Sequence, residues 1–125
     1  MDQLIAAAKA ASEAAYAPYS GYRVGAAVLV AGGAVVTGCN VENASYGLTI
    51  CAERAAIFAA RCAGHAVWEA VAIYAPQPPA PLPCGACRQV MAEGGNEPEV
   101  IVAASDGSVR IFHFDDLLPN RFMLT

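Results

Sequence analysis

The run VWEAVAIYA at 67–75, the segment PQPPAPLP at 76–83, the stretch CGACRQVMAE at 84–93 and the run VIVAA at 100–104 decide the fold of this 125-residue chain. The first and last are short and densely apolar, with the β-branched and aromatic residues of buried strands. Between them, 84–93 reads as a helix ended by Gly94-Gly95. Strand, helix and strand in that order predict a parallel pair with a right-handed crossover. The segment 76–83 holds five prolines, too many for helix or sheet. Locally it could pass for a polyproline ligand or a linker. Neither flank is long enough to be a domain alone, so it reads as a stiff loop on the active face.

Upstream, Leu4, Ile5, Ala8, Ala11 and Ala15 recur at helical spacing and predict a first helix over Asp2 to Tyr16. Ala17-Pro18-Tyr19-Ser20-Gly21 breaks it. Tyr22 to Val30 and Ala34 to Asn40 are strand-like and joined by Gly32-Gly33, the signature of a hairpin. Asn43 to Ile50 is a loop, and Cys51 to Ala63 is a helix of strong helix formers. Downstream, Ser105 to Ser108 is a turn, Val109 to His113 a strand, Asp115 to Leu118 a short helix and Pro119 to Thr125 an irregular tail. No internal repeat interrupts this order. The expectation is an α/β fold: a single three-layer domain over residues 1–125, with a mixed five-stranded sheet flanked by helices.

Composition narrows the function. The chain is 57% hydrophobic and 14% charged, which excludes an intrinsically disordered protein. Seven Lys+Arg face eleven Asp+Glu, for a formal charge of −4, so no excess of positive charge is present to hold a nucleic-acid backbone. The longest uncharged stretch, Val24 to Val41, approaches the length of a bilayer span, but Gly32-Gly33 in its middle makes it a hairpin, and no membrane partner is expected. Met1-Asp2-Gln3 lacks the basic region of a secretory signal, which points to the cytoplasm. Abundant alanine predicts closely approaching elements. With so few charges to cover the outside, part of the apolar surface is expected to face copies of the same chain.

Cysteine carries the chemistry. Cys39, Cys51, Cys62, Cys84 and Cys87 are odd in number and lack a secretory context, which argues against a disulfide framework. Cys51-Ala52-Glu53-Arg54 and Pro83-Cys84-Gly85-Ala86-Cys87 each stand at a predicted helix start. Peptide dipoles there favour thiolates. Cys84 and Cys87 lie one turn apart on the same side, and Cys51 would complete three ligands. Zinc prefers four, so three protein ligands leave one position for water, the mark of a catalytic centre. Glu53 is close enough to exchange protons at that position. Arg54 is placed to offset the thiolate charge by donating to sulfur. A lone Cys-x-x-Cys also fits half of a structural zinc site or a redox pair. A fourth structural ligand would have to be Cys39, Cys62, His65 or His113. Cys39 ends a strand, and Cys62 lies eleven residues along the helix from Cys51, about 16 Å away.

APYSGYRVGAA at 17–27, GCNVENASYG at 38–47, CAER at 51–54, PCGACRQV at 83–90, and LLP at 117–119 followed by Phe122 together resemble the small homotetrameric cytidine deaminase family. The cysteines are the all-sulfur version of an arrangement already described for zinc deaminases. The resemblance implies one Zn²⁺ per chain and hydrolytic deamination of cytidine and 2′-deoxycytidine to uridine and 2′-deoxyuridine, with release of ammonia, in pyrimidine salvage. It also implies a homotetramer with sites shared between subunits. Asn40 and Glu42 match the pair that holds the ribose hydroxyls, and Tyr22 the aromatic position against the pyrimidine. Phe122 matches an aromatic that reaches a neighbouring subunit's base, and Tyr46 a residue that helps close a neighbour's site. Gln89 is read as orienting the zinc ligands, with a solvated helix residue as its rival. Cys39 and Cys62 are expected to be packed thiols, and His65 and His113 surface residues. Three other functions stay open: a zinc deaminase for a blasticidin-type nucleoside antibiotic, a polynucleotide-editing deaminase, and a non-catalytic zinc or redox module.

Overall fold

Among the described residues five strands form: β1 (Gly25–Val30), β2 (Val35–Cys39), β3 (Trp68–Ala75), β4 (Glu99–Ala104) and β5 (Val109–His113). They make one sheet in the order β2-β1-β3-β4-β5. The computed structural model describes residues 1–94 and 97–124; Gly95 of the expected Gly94-Gly95 terminator and Thr125 of the expected tail lie outside the described residues. Strands β3 and β4 are parallel, with Ala70 opposite Glu99 and Ala75 opposite Ala104. The other neighbouring pairs are antiparallel. The sheet is therefore mixed and five-stranded, as expected. The uncharged stretch 24–41 forms the β1–β2 hairpin, and among the described residues no helix is long and apolar enough to cross a membrane.

Among the described residues four α-helices accompany the sheet: α1 (Asp2–Ser12), α2 (Ala52–Cys62), α3 (Gly85–Ala92) and α4 (Phe114–Leu117). Side chains alternate across each strand, and each face finds a different cover. Val28, Val71, Ile73, Val100 and Val102 pack with Ala56 and Ile57 of α2 and with Cys87 and Met91 of α3. On the opposite face Ala27, Ala72 and Ile101 pack with Leu4 and Ala8 of α1. This makes three layers, with α2 and α3 side by side on one face.

Small residues set how closely the layers approach. A Cβ on Gly25 would lie 1.9 Å from the Ala8 carbonyl oxygen, and one on Gly38 would lie 2.4 Å from the Ala56 nitrogen. Backbone stands against backbone at both places, so neither contact relaxes by turning a side chain. Gly25→Ala is expected to destabilise the fold by about 3 kcal/mol or more by forcing α1 off the sheet. Denaturant unfolding measures this, and an unchanged midpoint would show that α1 does not sit there.

The first helix is shorter than expected, ending at Ser12 and not at Tyr16. Ser12 Oγ donates to the Lys9 carbonyl at 2.6 Å, and the N–H groups of Glu13, Ala14 and Ala15 turn back three residues. Tyr16 N then donates to Asn40 O at 3.0 Å. Competition from a serine hydroxyl and a long-range partner for Tyr16 outweigh helical propensity here. Strand β1 also begins later than expected, because the Tyr22–Val24 backbone is held by the Asn40 side chain.

Candidate active site

Helices α2 and α3 start beside one another, and their first residues meet. Cys51 and Cys84 are the N-cap residues of the two helices, each in extended conformation, and neither side chain caps its helix. Their sulfurs are thus free to face each other, 3.8 Å apart. Cys87, in the first turn of α3 and fully buried, brings its sulfur within 3.3 Å of Cys84. All three sulfurs lie within 4.8 Å of one another. Disulfide sulfurs stand about 2.05 Å apart; these cysteines are free. A tetrahedral zinc with Zn–S bonds of about 2.3 Å has an S···S edge of ~3.8 Å. The soft donor set and its spacing fit zinc, and among the described residues these three sulfurs could hold it.

Electrostatics at the cluster follow from its hydrogen bonds. Bonding to the Cys87 thiol pulls the Cys51 thiol down to about 5, helped by Arg54 against the opposing effect of burial. The same bond, together with burial, holds the Cys87 proton on. Arg54 Nη2 donates to Cys51 Sγ at 3.5 Å, which secures its own charge. A metal binding here therefore displaces protons from sulfur. Glu53, in the first turn of α2, is only 6% exposed. Burial pushes its carboxyl up to about 7, and the Cys51 thiolate pushes it the same way. A bound dication would pull it back down.

These groups open onto a cavity of about 250 Å³ whose wall includes Cys51, Glu53, Cys84, Tyr22, Asn40 and Glu42, with Thr49, Ile50, Ile73, Pro81 and Leu82 between them. Asn40 accepts from Val24 N at 2.9 Å and donates to Tyr22 O at 2.8 Å; one amide hydrogen remains. Glu42 accepts from Ser20 Oγ at 2.5 Å and from the Tyr19 and Ser20 N–H groups. The Ser20 hydroxyl holds its carboxyl below the usual range, so it stays ionised. A larger groove of about 590 Å³ lies elsewhere, lined by Ile57, Phe58, Arg61, Trp68, Val90 and Glu93. It gathers no metal-ligating set, and its Arg61 is engaged over the Trp68 ring and on Glu93 O.

Some expected residues stand apart. Tyr46 is 85% exposed and Phe122 69% exposed, and neither lines this chain's cavity. The Gln89 amide, expected to reach the ligands, instead donates to Phe122 O at 2.9 Å and ties the tail to α3. Cys62 is exposed at the end of α2, not packed. Sequence reasoning overlooked Arg88, whose Nε donates to Pro83 O and Nη1 to Leu117 O, both at 2.7 Å. Its position one residue after Cys87 was the available signal. Thr49, Ile50, Ile73 and Leu82 of the cavity wall carried no signal of their own.

Comparison with known proteins adds to this geometry. A sequence model for the cytidine and deoxycytidylate deaminase zinc-binding region matches residues 1–104. A cytidine deaminase of Halalkalibacterium halodurans is 46% identical over 120 residues, covering 95% of this chain and 91% of that protein. One from Mycobacterium tuberculosis is 47% identical over 114 residues, covering 91% and 83%. The crystal structure of cytidine deaminase from Burkholderia pseudomallei superposes with a TM-score of 0.92 at 51% identity, covering 97% of this chain and 98% of that one.

Proposed function

The chain belongs to the cytidine and deoxycytidylate deaminase zinc-binding family, and from that premise we propose that it hydrolyses cytidine and 2′-deoxycytidine to uridine and 2′-deoxyuridine, releasing ammonia. The observation that carries the reading is the meeting of sulfur ligands, a buried acid and the Asn40–Glu42 pair on one cavity. In this reading Cys51, Cys84 and Cys87 hold one Zn²⁺ per chain, which when bound supplies the Lewis acidity that makes water nucleophilic near neutral pH.

The protein's own residues move the protons and place the substrate. Glu53 takes a proton from the attacking water and delivers it to N3 of the ring as the C4–O bond forms. A second proton from that oxygen passes through the same carboxylate to the amino nitrogen, and the C4–N bond breaks with ammonia as leaving group. Burial raises the Glu53 carboxyl and a bound dication lowers it, and between these opposed effects it can accept a proton and give it up again. Arg54 offsets the thiolate charge. Tyr22, Ile73 and Leu82 face the base. The remaining Asn40 amide hydrogen and the Glu42 carboxylate take the ribose hydroxyls.

Three features support the finer assignment. Among the described residues the cavity wall carries Glu42 and Glu53 and no Lys or Arg, which supports an uncharged nucleoside over a nucleotide, since a 5′-phosphate would meet like charge. Exposed Tyr46, Leu48, Phe122 and Leu124 support a homotetramer in which Tyr46 and Phe122 serve a neighbour's site. Five free cysteines suit the reducing cytoplasm, where the products re-enter pyrimidine salvage. One preparation tests the whole reading. Expected are about one zinc per chain, a kcat/KM for deoxycytidine at least about 100-fold above that for deoxycytidylate, and a light-scattering mass four times that of the chain. Bound zinc with no absorbance change on any aminopyrimidine nucleoside would refute it.

A further inference from the structure

Part of the cavity wall comes from the segment 76–83, through Pro81 and Leu82. Its five prolines have no N–H to give, and among the described residues no backbone–backbone hydrogen bond secures it. Its carbonyls are instead held by side chains from distant elements. Ser105 Oγ donates to Pro76 O, Arg110 Nη2 to Ala80 O at 2.5 Å, and Arg88 Nε to Pro83 O at 2.7 Å. Ala80 is 3% exposed, and Pro83 is fully buried. Pro81 and Leu82, between the two arginine contacts, line the cavity, and Cys84 follows directly. Arg110 lies opposite Val102 in the β4–β5 register. It therefore shares the sheet face that carries α2 and α3.

We propose that Arg110 and Arg88 are positioning residues that clamp the cavity-lining part of this segment, holding it at Ala80 and at Pro83 on either side of Pro81 and Leu82. Arg110 sets the substrate side through Ala80, and Arg88 sets the Cys84 ligand through Pro83. The proposal rests on the functional reading above. The physical reason is the composition of the wall: a proline segment is stiff in φ but, with backbone N–H groups only at Gln77, Ala80 and Leu82, has few donors with which to lock itself to the sheet. Guanidinium donors provide directional bonds to its carbonyls, and a bond with a charged donor is stronger than a neutral one. Arg88 reaches further, since its Nη1 also holds Leu117 O at 2.7 Å and so joins the wall to α4.

The test uses the zinc-loaded full chain and the variants Arg110→Gln, Arg110→Lys and Arg88→Gln. Cytidine KM and kcat, zinc release to a colorimetric chelator, and melting temperature are measured for each. Arg110→Gln is expected to raise KM about tenfold, with kcat within about twofold and zinc release unchanged. Arg110→Lys, which keeps a charged donor, is expected to recover most of that loss. Arg88→Gln is expected to release zinc about tenfold faster. An unchanged KM in Arg110→Gln overturns the proposal. So does a parallel change of KM and zinc release in both glutamine variants that tracks melting temperature, because that is general loosening. If the parent turns over no cytidine, the functional reading fails by itself. The clamp is then judged by zinc release in Arg88→Gln and by amide exchange at Ala80 and Leu82 in Arg110→Gln. Faster rates support it, and unchanged rates overturn it.

Discussion

Glu53→Gln is expected to lower kcat on cytidine by about 10³-fold or more while leaving about one zinc per chain in place. The substitution keeps the shape and one acceptor of a side chain that is almost wholly buried, so the fold has no reason to change. It removes the carboxyl on the cavity wall that stands beside the Cys51 and Cys84 sulfurs and is assigned to carry protons between water and the base. KM should shift far less than kcat, because the carboxyl acts on groups whose charge changes during reaction. A variant that turns over cytidine at the parent rate would end the proposed role of Glu53. A variant that loses zinc along with activity would move Glu53 from proton carrier to ligand support.

The second large effect is expected at Cys87. Cys87→Ser keeps the volume of a fully buried side chain but replaces a soft thiolate ligand with a hydroxyl. Zinc content after dialysis against a chelator should fall from about one per chain to near zero, and turnover should fall with it. Melting temperature should also drop, since a metal held by these sulfurs would join the starts of α2 and α3 and stabilise only the folded state. Cys62→Ser is the control: that thiol is exposed at the opposite end of α2, and neither zinc nor rate should move. Full zinc retention in Cys87→Ser would show that the three-sulfur centre is wrong.

The element order was readable because its signals are local. Two dense apolar runs bracket a helix, and glycine pairs and prolines punctuate the chain. The Cys84–Cys87 pair was readable for the same reason, since one helical turn brings i and i+3 together. The end of α1 was misread because a hydroxyl at Ser12 and a partner at Asn40 overrule the helical pattern of Ala15 and its neighbours. The Gln89 contact was not readable either: nothing within a few residues shows that its amide meets Phe122 O, 33 positions away.

Periodicity, breaker residues and motif spacing determine, before any folding, which segments become strands and helices and which side chains can bind a metal or carry a proton. They act over a few residues, the range of backbone sterics and of one helical turn. Only packing brings Cys51 to Cys84 across 33 positions, Arg110 to Ala80 across 30, and Asn40 into the backbone of Tyr22 and Val24. Those meetings follow from the sheet order β2-β1-β3-β4-β5, which seats α2 beside α3, and from burial of the shared apolar face between them, a force that has no preferred sequence separation.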